Sequence, residues 1–177
     1  MGSEMCIRDS GKAMPVELAQ KIERAAKFNQ GFGTVEYLAS ALVDMKLHLA
    51  GARAIDPATF ERETLQGLGM PAEVVMRHRI PQFSHVFSSD NYSASYYSYL
   101  WSDTLSTDAF EAFTEAKGPY DREVAKRLRD AVLAVGNTID PADAYRTFRG
   151  RDPGIGALMR ERGFTGDGSG PGAAPAP

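Results

Sequence analysis

The sequence predicts an all-α chain of about seven packed helices, and three observations carry that expectation. Apolar residues recur at three- and four-residue intervals through most of the chain. Proline follows or occupies a helix-start position at Pro15, Asp56-Pro57 and Asp140-Pro141, where its missing N–H costs nothing. No stretch alternates apolar and polar residues as a half-buried strand does. At 177 residues, 43% hydrophobic and 24% charged, the chain is within the range of one domain able to bury a core. Its apolar stripes require the helices to pack on one another.

Pro15 opens the first helix, with Val16, Leu18, Ile22, Ala25, Ala26 and Phe28 as apolar positions up to Asn29, and Gly31 and Gly33 are expected to end it. Thr34 is the expected cap of the second helix, whose Val35, Leu38, Leu42, Met45 and Leu49 side is apolar enough to be buried. His48 stands near its C-terminus, where the helix dipole favours a histidine and a metal-ligand role is the weaker expectation. Asp56-Pro57 starts a third helix through Phe60 and Leu65 to Gly67. After the connector Leu68-Gly69-Met70-Pro71 comes VVMRHRI, which Pro81 takes out of any helix. Arg77 and Arg79 in that run could grip a substrate carboxylate, although solvated or ion-paired arginines are the commoner outcome.

The stretch Phe83 to Trp101, FSHVFSSDNYSASYYSYLW, is where a functional argument begins. Ser88-Ser89-Asp90-Asn91 favours a turn, because such short polar side chains bond their own backbone. Beyond it Tyr92, Tyr96 and Tyr99 are spaced i, i+4, i+7, which predicts one face of a helix, with Tyr97 pointing elsewhere. A phenol can present a proton at neutral pH without bringing in a charge, which suits an oxyanion or a peptide backbone. Spacing alone favours core tyrosines with hydroxyls at the boundary.

The helix continues past Trp101 through Leu105, Phe110 and Phe113 until Gly118-Pro119. Asp121 caps the next, through Val124, Leu128, Val132 and Val135 to Gly136. Asp140-Pro141 starts another that ends near Arg149-Gly150, and a last short helix covers about Ile155 to Arg162.

The Phe83–Trp101 stretch resembles the tyrosine-rich loop of the thimet oligopeptidase, oligopeptidase A and peptidyl-dipeptidase family of zinc metallopeptidases, through Phe83, His85, Val86, Phe87, Tyr92, Ala94, Tyr96, Tyr97, Tyr99, Leu100 and Trp101. Two features depart from the family pattern. Ser88-Asn91 replaces a glycine-rich turn, and Ser95 replaces the glycine before the tyrosine pair, which bears on how the loop moves. The segment Ala25 to His48 resembles the helix pair that follows the family's metal site. The end of the chain, GNTIDPADAYRTFRGRDPGIGALMRERGF, resembles the bacterial peptidyl-dipeptidase branch. The resemblance runs from about Lys12 to Phe164.

That resemblance implies a C-terminal part, residues 11–164, of the catalytic domain of a longer cytoplasmic enzyme acting on short peptides. It implies Tyr99 as the catalytic hydrogen-bond donor to the tetrahedral intermediate on zinc, and His85, Tyr92 and Tyr96 as substrate-binding residues. Residues 1–10 are expected to be a non-native leader, since Met5-Cys6-Ile7-Arg8-Asp9-Ser10 resembles a translated sequencing adapter; Cys6 then has no role. Residues 165–177, rich in Gly, Pro and Ala, are expected to be a disordered tail.

The chain has no H-E-x-x-H, and His48, His78 and His85 lack i, i+4 spacing, so no metal ligand is assigned; the zinc ligands are expected upstream, in the missing N-terminal part. Alone, the chain is expected to be inactive. There is no phosphate loop, G-x-S-x-G elbow or Cys/His nucleophile pair. A net charge of -3 argues against nucleic acid or an anionic membrane as partner, and no run reaches the roughly 18 apolar residues of a membrane span. The competing expectation is a free-standing, non-catalytic helical interaction module.

Overall fold

The chain passes from its first helix into its second at Asn29. In the computed structural model, which describes residues 11–164, α1 spans Val16–Ala26 and α2 spans Gln30–Leu49. Asn29 between them takes the left-handed conformation, φ 57°, which Asn tolerates better than most residues. Gly31 and Gly33 therefore lie inside the first turn of α2 instead of ending α1, and Thr34 is not its cap. The expected leader with Cys6 and the expected tail at 165–177 lie outside the described residues.

α2 also turns a different side inward than its large apolar residues suggest. Ala39, Ser40, Ala41, Val43 and Asp44 are buried, while Val35, Leu42 and Met45 are exposed and Leu49 is 82% exposed. The small residues let the segment around residues 76–86 come close: Met76, Ile80, Phe83 and Val86 join Ala39, Val43 and Leu65 in one buried cluster, with Tyr96 packed against it. α1 buries none of its residues, so Val16, Leu18 and Ile22 are exposed as well.

α3, Pro57–Gly67, begins as its sequence dictates: the Asp56 carboxylate accepts the Thr59 N–H at 2.8 Å. Its Glu61 is buried and accepts the Ile80 N–H at 3.1 Å while pairing with Arg79. Pro81 sits in the first turn of a short 3₁₀ segment, Ile80–Gln82, and a second one follows at Ser84–Phe87.

The second half is built on α4, Ser98–Thr114. Asp121 caps α5, Arg122–Leu128, accepting the Glu123 and Val124 N–H groups at 3.0 Å each. The expected run to Gly136 does not stay α-helical: it widens into a π turn at Arg129–Leu133. α6, Pro141–Arg149, is capped by Asp140 and closed by left-handed Gly150, and α7, Gly156–Glu161, packs on α4. Ala112, Val124, Ala131 and Phe148 form a second buried cluster. Beside it Asp108 is buried and receives Tyr145, Arg149 and Arg151. Arg162 joins the halves, donating to Thr34 at 2.9 Å and Asp103 at 3.1 Å. The described residues hold seven α-helices and no strand, as expected of an all-α chain. None of these helices is long and apolar enough to cross a membrane.

A histidine and tyrosine cleft as the candidate active site

Residues 88–97 do not form the helix their spacing predicts; α4 starts only at Ser98. The polar turn extends further because Ser93 and Ser95 hydroxyls bond backbone carbonyls within it, at Ser89 and Ser93. Ala94 is left-handed at φ 56°. Ser95, standing where the family pattern has glycine, is outside that region, so a Cβ at this position meets no backbone penalty.

A different device brings the tyrosines together. The carboxylate of Asp44 in α2 accepts the Ala94 N–H at 3.1 Å on Oδ1 and the Tyr96 N–H at 3.0 Å on Oδ2. Tyr37, about two turns earlier on α2, stacks on Tyr96 at 5.2 Å, donates to the Tyr96 carbonyl, and accepts the Leu100 N–H at 3.3 Å.

His85 stands at the centre of the result. Tyr92 approaches its ring at 4.6 Å, Tyr96 at 5.7 Å edge-on and Tyr99 at 5.9 Å, and the Tyr99 phenol oxygen is 3.0 Å from His85 Nε2. All four expected site residues therefore meet. Tyr37, Gln82, Ser84, His85, Tyr96 and Tyr99 line an open cleft of about 390 Å³, and Tyr92 backs His85 beside it. Burial pushes the Tyr96 phenol above its ordinary pKa against the pull of Arg77, and burial likewise raises Tyr37 against its bond from Leu100 N–H. Both remain protonated donors at neutral pH. Tyr97 is exposed at the surface.

The sequence profile of peptidase family M3 matches residues 7–164. The chain belongs to peptidase family M3. It is 38% identical over 160 residues to the dipeptidyl carboxypeptidase of Salmonella typhimurium, a match covering 88% of this chain and 23% of that protein. The Escherichia coli dipeptidyl carboxypeptidase is 39% identical over 159 residues, with the same two coverages. Oligopeptidase A of Escherichia coli is 31% identical over 163 residues, covering 89% of this chain and 23% of that enzyme. The chain thus spans about a quarter of the length of the curated relatives it matches.

For an M3 chain the test of a metal is whether side chains converge to hold one. Among the described residues no group of three or more His, Cys, Asp or Glu does so. His48 binds Asp44, His78 stacks on Phe83 at 5.5 Å, and His85 faces phenols. These residues do not fit a zinc site. Arg77 and Arg79 are ion-paired, to Glu36 at 2.8 Å and to Glu61, the commoner outcome for such arginines.

Sequence reasoning missed Asp44 and Tyr37. A signal for the first was present: an aspartate between Val43 and Met45 in an apolar helix, four residues before a histidine, is a charge that must find partners if that face is buried. Tyr37 carried no comparable mark.

Proposed function

We propose that this chain is the part of a zinc metallopeptidase that supplies the substrate and transition-state loop, and that the longer enzyme hydrolyses short peptides. The observation that carries this reading is the convergence of Tyr99 and His85, 3.0 Å apart, on a cleft edged by Tyr96. Hydrolysis of a peptide converts a planar carbonyl into a tetrahedral centre with charge on the former carbonyl oxygen. A neutral phenol placed at that oxygen is worth about 3 kcal/mol by analogy with other oxyanion donors. Tyr99 is assigned that role. His85, Tyr92 and Tyr96 are assigned to the substrate, with ring faces and hydroxyls suited to a peptide backbone. Zinc belongs to the longer enzyme, its ligands lying elsewhere than among these side chains.

Higher identity to two dipeptidyl carboxypeptidases than to oligopeptidase A supports release of dipeptides. The exposed apolar side of α2, with Leu42, Met45 and Leu49, together with α1, supports a partner region in the same enzyme that covers it. The chain alone is expected to be inactive.

Sequencing the source DNA upstream of the Gly11 codon tests this. An open frame that reads into H-E-x-x-H and a downstream Glu is expected. A promoter and start codon just before Met14 would instead make the chain a free-standing helical module, with the tyrosines serving packing or binding.

A further inference from the structure

Asp44 is only 1% exposed, in the middle of an apolar helix. A carboxylate there is costly unless its oxygens are bonded, and all its partners serve one purpose. Oδ1 accepts the Ala94 N–H at 3.1 Å and Oδ2 the Tyr96 N–H at 3.0 Å, and His48 Nδ1 stands 2.9 Å from Oδ1 as an ion-pair neighbour. His48 Nδ1 makes its hydrogen bond to the Asp44 carbonyl oxygen at 2.9 Å, one turn back on the same helix. The imidazole lies beside the carboxylate, and its ring stands 6.0 Å from that of Phe87, at the start of the polar turn.

We propose that Asp44 is the positioning residue of the tyrosine loop, its carboxylate fixing the backbone at Ala94 and Tyr96 and through it the approach of Tyr96 and Tyr99 to His85. Two N–H groups two residues apart, bonded to one buried carboxylate, fix the Ser93–Ala94 and Ser95–Tyr96 peptide planes, with Ser95 held between them. The Tyr96 residue is gripped at both ends, its N–H by Asp44 and its carbonyl by Tyr37. Left-handed Ala94 is a conformation that persists only where its surroundings over-determine it, and the Asp44 bond to its N–H does so. Asparagine at position 44 converts one acceptor into a donor that faces an N–H. The proposal rests on the peptidase reading for what the loop does, whereas its geometry stands without it.

The test is amide hydrogen exchange and ring-to-ring NMR contacts on the full chain. In Asp44→Asn the Ala94 and Tyr96 amides exchange at least about tenfold faster, and the Tyr99-to-His85 ring contact is lost, while Ala112 and Ala131 in the second cluster keep their protection. In Asp108→Asn, which removes an equally buried carboxylate elsewhere and lowers overall stability, Ala94 and Tyr96 exchange no faster than Val43 and Val86 beside them, and the ring contact is kept. Should Asp44→Asn fail to fold, Asp44→Glu decides: it keeps the charge but displaces the carboxylate by one methylene from the two N–H groups, and faster exchange confined to Ala94 and Tyr96 is the expected result. Unchanged exchange at those two amides, in whichever variant folds, overturns the proposal. Neither outcome depends on peptide cleavage, so a failure of the peptidase reading would be seen separately, in the upstream reading frame.

Discussion

The Tyr99 phenol oxygen lies 3.0 Å from Nε2 of His85, across a turn in which α-helix begins only at Ser98. Tyr99 itself is 48% exposed. Its hydroxyl therefore does little for stability, since an exposed hydrogen bond exchanges with water at small net gain. In denaturant unfolding of this chain, Tyr99→Phe should change stability by less than about 1 kcal/mol. A loss of twice that would mark Tyr99 as a packing residue and weaken its chemical role.

Ala94 tests whether the loop is held in the shape described. A left-handed alanine costs about 1 kcal/mol, and a β-branched residue there costs more. Ala94→Gly should leave stability unchanged or raise it by up to about 1 kcal/mol, the relief being offset by a freer unfolded chain. Ala94→Val should lower it by more than about 1 kcal/mol. Equal stability of the two variants, measured side by side, would mean that residue 94 is not left-handed.

The limits of the sequence show at this loop. Proline and aspartate at helix starts act through the next three residues, so Asp56, Asp121 and Asp140 could be assigned as caps from the sequence, and all three bond the N–H groups expected of them. The grouping of His85, Tyr92, Tyr96 and Tyr99 came through the resemblance and the i, i+4, i+7 spacing. The spacing argument gave the right grouping through the wrong element, because the tyrosines converge by a turn bonded to Asp44, 50 residues from Ala94. Long-range acceptors of that kind have no local periodicity. The inward side of α2 was misjudged for a related reason: side-chain size marks which residues are apolar, whereas close approach of the Ile80–Phe87 turns selects the small ones.

The second half of the chain should be acid-sensitive through Asp108. Burial acts to raise its carboxyl pKa, but hydrogen bonds from Arg151, Tyr145 and Arg149 outweigh burial and hold it below the usual range. A depressed carboxylate contributes stability that is present above its unfolded value, about 4, and is lost as pH falls through the folded value. Unfolding free energy should therefore decline below about pH 4. Asp108→Asn should lose that part of the acid dependence. At pH 7 it should be less stable by about 3 kcal/mol, because Arg149, 5% exposed, loses a partner in a buried position. Parallel pH dependence in both proteins would contradict this account.

The exposed side of α2 makes a separate prediction. Met45→Lys with Leu49→Lys should alter the stability of this chain by less than about 0.5 kcal/mol, since neither side chain is buried. The same change should reduce self-association and binding of apolar dyes, measured by sedimentation and fluorescence. A large loss of stability would show that this face is packed within the chain rather than reserved for a partner region.

The most direct test of the central claim is a chimera in which residues 11–164 replace the matching segment of the Escherichia coli dipeptidyl carboxypeptidase, assayed on a short peptide with and without Tyr99→Phe. The account predicts that the chimera cleaves the peptide. It predicts that Tyr99→Phe lowers kcat by about a hundredfold or more while KM shifts by no more than about threefold. A kcat equal in the two chimeras would contradict it.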